Sequence, residues 1–189
     1  MSNTAPDPET QLAMIGEIST AFSNEGIEHW LFGGWGLDFL AGKVTRPHDD
    51  IDFFIWDGDF DKALTVLAPL GYEFRPEASG DFVNESGFVR KDGYYVELAR
   101  LVRKADGSIA TPGRYLDWPW PARSFEGPLL SFRGITVPGW DAYGHWHIKM
   151  GFSRHGSKDP LREQDITDIE ILKSLTGDLS DLPEFRLDT

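Results

Sequence analysis

The chain has 189 residues, which suits one domain or one domain with a small second lobe, and it contains no cysteine, which excludes disulfides and thiolate chemistry. Its net charge of −13 disfavours nucleic acid as the main partner, since phosphate binding is driven by Lys and Arg; it suits either a cationic small molecule or plain solubility. An apolar share of 40% with seven Trp can build a core, and no apolar run approaches the roughly 20 residues of a membrane span.

The N-terminal MSNTAPDPET lacks a basic start and an apolar run, so no secretory signal is expected and the expected location is the cytoplasm. Asp7 and Pro8 read as the cap and first residue of a helix to about Asn24 that buries Leu12, Ile15, Ile18 and Phe22. A strand from Glu28 to Phe32 is followed by Gly33-Gly34 and a short helix from Trp35 to about Ala41. After the strand through Asp50-Ile51-Asp52, a helix from about Asp59 to Ala68 buries Phe60, Ala63, Leu64 and Leu67, and Pro69 ends it. Strands are expected at Tyr72 to Arg75, Phe88 to Arg90 and Tyr94 to Leu101, with Asp92-Gly93 as a hairpin dipeptide. Leu129 to Val137 reads as a second hairpin turning at Arg133-Gly134. Helices over Trp140 to Arg154 and Pro160 to Leu175 close the chain; Asp159-Pro160 caps the second, and Gly156-Ser157-Lys158 links the two.

The stretch from Trp30 to Ile55, WLFGGWGLDFLAGKVTRPHDDIDFFI, carries the chemistry. Side chains alternate along a strand, so apolar Ile51, Phe53 and Ile55 share the core face while Asp50 and Asp52 project together from the other. Two such carboxylates repel each other unless a cation lies between them, and a hard divalent ion such as Mg²⁺ suits their oxygen donors. Gly33-Gly34, at a strand-to-helix turn, lets backbone N–H groups approach an anion at a helix N-terminus.

This ordered set resembles the signature of the polymerase-beta-type nucleotidyltransferases, and more closely that of the lincosamide and aminoglycoside 2''-adenylyltransferases. The matching residues are Gly33-Gly34-Trp35, Asp38, Gly42-Lys43, Arg46, His48 and Asp50-Ile51-Asp52. The likeness is dense over residues 30–56 and thinner to about residue 175. It implies an α/β (α+β) fold with a nucleotidyltransferase-type mixed sheet flanked by helices over residues 1–138, followed by a small C-terminal helical lobe over residues 139–189. It also implies an enzyme that uses ATP or another nucleoside triphosphate and two Mg²⁺ ions. Such an enzyme passes a nucleoside monophosphate to a hydroxyl of a small-molecule antibiotic and releases pyrophosphate. Asp50 and Asp52 would bridge the metals, and Gly33 and Gly34 would hold the triphosphate. Two other readings stay open: a toxin-like enzyme acting on tRNA or protein, and a catalytically silent nucleotide-binding module.

Further candidates each carry two readings. Glu97 lies on the mostly apolar strand Tyr94-Tyr95-Val96-Glu97-Leu98-Ala99, where the resemblance expects a third metal-binding acid and a proton acceptor; otherwise it pairs with Arg75, Arg90 or Arg100. Arg46 and His48 each either contact phosphate, the reading preferred for Arg46, or steady the loop by pairing with Asp49. Lys149 either reaches the triphosphate or lies along the surface. Trp118 and Trp120, held by Pro119 and Pro121, wall a substrate pocket or pack as a lid on the core. Asp57, Asp59 and Asp61 imitate a calcium loop but lack its Gly and closing Glu, so they are read as helix caps. His145 and His147, two apart on a helix, face different sides and are poor candidates for a shared metal.

Overall fold

The computed structural model describes residues 7–154 and 161–179. Helix α1 (Pro8–Asn24) starts where expected, with the Asp7 carboxylate accepting from the N–H groups of Glu9 and Thr10. Strand β1 (His29–Phe32) runs into α2 (Gly33–Ala41), then β2 (Asp50–Trp56) and α3 (Phe60–Leu67). Next come β3 (Glu73–Phe74), the single turn α4 (Pro76–Ser79), β4 (Ser86–Lys91), β5 (Tyr94–Arg103), β6 (Ile109–Ala110) and β7 (Pro119–Trp120). The hairpin β8 (Leu130–Phe132) and β9 (Ile135–Val137) precedes α5 (Ala142–Arg154) and α6 (Glu163–Thr176).

The main sheet has the order β1-β2-β5-β4-β3, with β6 and β7 continuing from the far end of β5. It is mixed: β2 and β5 are parallel, and the other pairs are antiparallel. The β4–β5 hairpin turns at Asp92 and Gly93, both with positive φ, as a tight two-residue turn requires. One sheet face packs Ile51, Phe53, Ile55, Val96 and Leu98 against α1 and α3. The other carries Phe32, Phe54 and Ala99 beneath Trp118, Trp120 and Trp140. A third cluster, Leu37, Trp146 and Leu172, holds α5 and α6 on α2. The edge of β1 is extended by the chain at 138–140, where Leu31 N–H donates to Pro138 and Leu31 C=O accepts from Trp140, both at 2.9 Å.

Several local expectations need correction. Helix α2 begins at Gly33 rather than Trp35, so the glycines form its first turn. Asp59 makes no capping bond, because a 3₁₀ turn over Asp57–Asp59 already supplies the Asp57 carbonyl to the Phe60 N–H; Asp57 instead pairs with Arg100. Helix α6 begins at Glu163, with Arg162 and Asp165 exchanging capping bonds, while Asp159 and Pro160 lie outside the described residues. The short strands β6 and β7 and the turn α4 lack the length for a periodic signal and were not expected from sequence.

Candidate active site

Parallel pairing of β2 with β5 places Asp52 beside Glu97 and Asp50 beside Tyr95. The two acids of β2 and Glu97, the single acid of β5, therefore project from the same sheet face, at the end of β1 where the chain turns into α2. Gly33 stands against this pair: its φ is +66°, and a Cβ there would lie 1.8 Å from Asp52 Oδ2. Gly34 is confined in the same way, with His48 Nδ1 2.3 Å and Arg46 Nη2 2.9 Å from its would-be Cβ. The first turn of α2 thus presents backbone directly between the Asp52 carboxylate and the Arg46 guanidinium, an arrangement that suits a phosphate.

The loop before β2 is held from below by Asp38. Its Oδ1 accepts from both the N–H and hydroxyl of Thr45, and Oδ2 lies 2.6 Å from His48 Nε2. Gln11 of α1 adds a bond to the His48 carbonyl at 3.0 Å. His48 therefore pairs with Asp38, not Asp49, and it shapes the loop. Arg46 reaches Asp168 of α6 at 3.4 Å, so it too is not paired with Asp49.

Burial raises the pKa of Asp52 well above the usual carboxylate range, and the charges of Asp50 and Glu97 raise it further. Asp50 is raised by burial and by Asp49, with His48 and Arg46 opposing. Glu97 is raised by burial and by Asp50, although hydrogen bonds from Ser86 and Asp52 pull the other way. Burial and like charge both disfavour three ionised carboxylates here, a repulsion that a cation would relieve. Among the described residues no three His, Cys, Asp or Glu side chains form a ready-made metal cage. The Asp50–Asp52 pair is all oxygen and carries excess negative charge, and so fits a hard divalent cation such as Mg²⁺. Glu97 pairs with none of the expected arginines: Arg75 pairs with Glu73 and Arg100 with Asp57, while Arg90 lies over the Tyr95 ring.

Lys149 is not a surface lysine. Its side chain is 14% exposed and its Nζ lies 2.7 Å from both Asp165 Oδ1 and Asp168 Oδ2; its charge is also felt at Asp52. Asp165 is opposed by burial, but bonds from Arg162 and Lys149 hold its pKa far below normal. These two acids went unnoticed in the sequence, although their i, i+3 spacing on one helix would place them on one face. His145 and His147 do diverge: His145 is buried with Nδ1 at the Asp141 carbonyl, and His147 accepts from Trp118 Nε1 at 2.8 Å.

Beside Glu97 opens a cavity of about 350 Å³. Trp118 and Trp120 are in its wall, with Phe54, Phe88 and Tyr115. Both tryptophans are also buried in the second core cluster, so they pack on the core and wall the cavity at once. Glu85 and Ser86, also in this wall, gave no signal in the sequence.

The mixed sheet, with paired acids beside a glycine turn at a helix start, is the fold of the nucleotidyltransferases. Residues 14–171 match the model of the aminoglycoside-2''-adenylyltransferase family, and the chain belongs to that family. A lincosamide resistance protein of Staphylococcus haemolyticus is 40% identical over 154 residues, covering 70% of this chain and 88% of that protein. A 2''-aminoglycoside nucleotidyltransferase of Klebsiella pneumoniae is 44% identical over 78 residues, 41% of this chain; the chain spans only 44% of that relative's length. Among solved structures, the lincosamide antibiotic adenylyltransferase LnuA in its lincomycin-bound form aligns with a TM-score of 0.65 at 22% identity, covering 92% of this chain and 100% of LnuA. ANT(2'')-Ia in complex with adenylyl-2''-tobramycin aligns at 0.68 and 18% identity, covering 87% and 88%. At these identities the structures establish the shared fold. No helix among the described residues is long and apolar enough to cross a membrane.

Proposed function

We propose that this chain transfers AMP from Mg²⁺-ATP to a hydroxyl of an aminoglycoside or lincosamide antibiotic, releasing pyrophosphate, in the cytoplasm. One observation carries the reading: Asp52 and Glu97 meet in register on parallel strands between the Gly33-Gly34 turn and an aromatic cavity of drug-like size. Asp50 and Asp52 would hold Mg²⁺, which when bound supplies positive charge against the phosphate oxygens. Gly33 and Gly34 hold the triphosphate through backbone N–H groups, and Arg46 and Lys149 supply counter-charge from the loop and from the 139–189 lobe. Trp118 and Trp120 hold the acceptor. Glu97 takes the proton of the acceptor hydroxyl as its oxygen bonds to the α-phosphorus. The bond from the α-phosphorus to the bridging oxygen breaks, and pyrophosphate leaves. A carboxylate whose pKa is raised by burial and a neighbouring acid is a better base than an ordinary one, which favours Glu97 in this role.

The test is pyrophosphate release from Mg²⁺-ATP with tobramycin or lincomycin as acceptor. Asp52→Asn should abolish release, and Glu97→Gln should lower kcat by about 10²–10⁴ with little change in ATP affinity. Failure of both drugs to stimulate release, or near-normal turnover in Asp52→Asn, overturns the proposal.

A further inference from the structure

The walls of the cavity beside Glu97 hold a second carboxylate, Glu85, and no Lys, Arg or His among the described residues. Glu85 is only 5% exposed. Its backbone is fixed at both ends: its N–H donates to the Phe82 carbonyl at 3.0 Å, and its C=O accepts from Arg100 of β5 at 2.8 Å. Oε1 accepts from the Arg114 N–H at 2.8 Å and from Arg114 Nε at 3.3 Å. Oε2 is buried and has no hydrogen-bond partner among the described residues.

Arg114 does not complete the site. Its side chain is 45% exposed, its Nη2 is taken by the Asp81 carbonyl at 2.8 Å, and its guanidinium lies over the Phe82 ring. It pairs with Glu85 through Oε1 and gives no donor to Oε2. A buried acceptor without a donor is unfavourable, more so when it is charged. Burial raises the pKa of Tyr115 in the same wall; the Arg114 charge opposes this, and the charges of both Glu85 and Glu97 add to it. An aromatic cavity walled by two acids, with one guanidinium paired to Glu85 from outside the wall, suits a positively charged N–H donor, because ring faces and carboxylate both attract it.

We infer that Glu85 is a specificity-determining residue of the acceptor pocket, with Oε2 receiving a protonated amine of the acceptor molecule. The inference rests on reading this cavity as the acceptor pocket. A hydroxyl could satisfy the hydrogen bond, but Arg114 offsets only one of the two carboxylates, Glu85 and Glu97, and an ammonium brings the second positive charge. Glu85 touches no reacting atom in this role; it sets which acceptors bind and how they lie against Glu97.

The tryptophans in the wall make binding visible without turnover, as a change in intrinsic fluorescence on titration. The probes are tobramycin and its fully N-acetylated derivative, in which no amine is left to carry charge, with lincomycin as a single-amine comparison. Glu85→Gln should raise the Kd for tobramycin at least tenfold and for lincomycin less, while the acetylated compound binds wild type and variant equally weakly. In turnover the variant should raise KM far more than it lowers kcat, with ATP binding unchanged. Should Glu85→Gln fail to fold, wild type alone decides, because tobramycin must bind at least tenfold more tightly than its acetylated form. Equal losses for charged and acetylated ligand, unchanged tobramycin binding in the variant, or equal binding of both ligands by wild type overturns the inference. Drug-stimulated pyrophosphate release that ignores Glu85→Gln removes the amine site and leaves the proposed function standing. Amine binding that is lost in the variant, without release by wild type, does the reverse.

Discussion

Asp52 owes its position as much to what is missing opposite it as to its own strand. Because the Gly33 backbone occupies the space where any Cβ would meet Oδ2, the turn and the carboxylate are coupled parts. Gly33→Ala would force a φ of +66° on a residue with a side chain and push Asp52 from its place beside Glu97. The expected outcome is a fall in turnover of about 10²-fold or more, the scale on which small misplacements of reacting groups act. A lowered Tm should accompany it, and a pyrophosphate assay beside a thermal melt checks both. Near-wild-type turnover in Gly33→Ala would mean that the turn does not position the acid.

Helix α6 contributes two acids rather than a catalytic group. Asp165 and Asp168 gather Lys149 from α5 and Arg46 from the loop before β2, binding the C-terminal helices to the signature by charge as well as by the Leu37–Trp146–Leu172 contact. Asp168→Asn keeps the shape and removes the charge that both cations share. Loss of charge-assisted bonds at a buried position costs about 1.5–3 kcal/mol, or roughly 3–12 °C in Tm for a chain of this size. If Lys149 and Arg46 serve the triphosphate, added ATP should restore more of the Tm in this variant than it adds to wild type, since phosphate replaces the lost counter-charge. Equal ATP shifts in the two proteins would assign these cations a structural role only.

At the scale of the whole molecule, pH acts on stability through two opposed sets of groups. His29 and His145 are buried and their pKa values are lowered by burial, so the unfolded chain takes up their protons first and stability is lost as pH falls below about 6.5, the ordinary imidazole value. Asp50, Asp52 and Glu97 are raised, so the folded state holds protons that the unfolded chain has released; without a cation they favour the fold as pH falls toward the ordinary carboxylate range. The two sets separate in variants. His29 ties α1 to β1 through Ser19 at 2.7 Å, and His29→Gln should cost stability at pH 7.5 yet lose less on going to pH 5 than wild type does. Urea unfolding in chelator across this range measures the difference, and parallel curves would show that His29 does not titrate with folding.

The sequence by itself determined the sheet face of β2, the start of α1, the hairpin at Asp92-Gly93 and the ordered signature that placed the chain in its family. Each of these depends on spacing within a few residues: alternation along a strand, a cap before a helix, a dipeptide that accepts positive φ. The tertiary structure decided what spacing cannot encode. Only the parallel register of β2 with β5 puts Glu97 beside Asp52, 45 positions apart in the chain, rather than beside an arginine. Only folding brings Asp168 to Arg46 and Lys149, makes one surface of Trp118, Trp120 and Glu85, and turns His48 toward Asp38 instead of its neighbour Asp49. Local pattern records which face a side chain takes; burial then makes each polar group seek whatever partner the packed elements bring within reach, and that partner can come from any part of the chain.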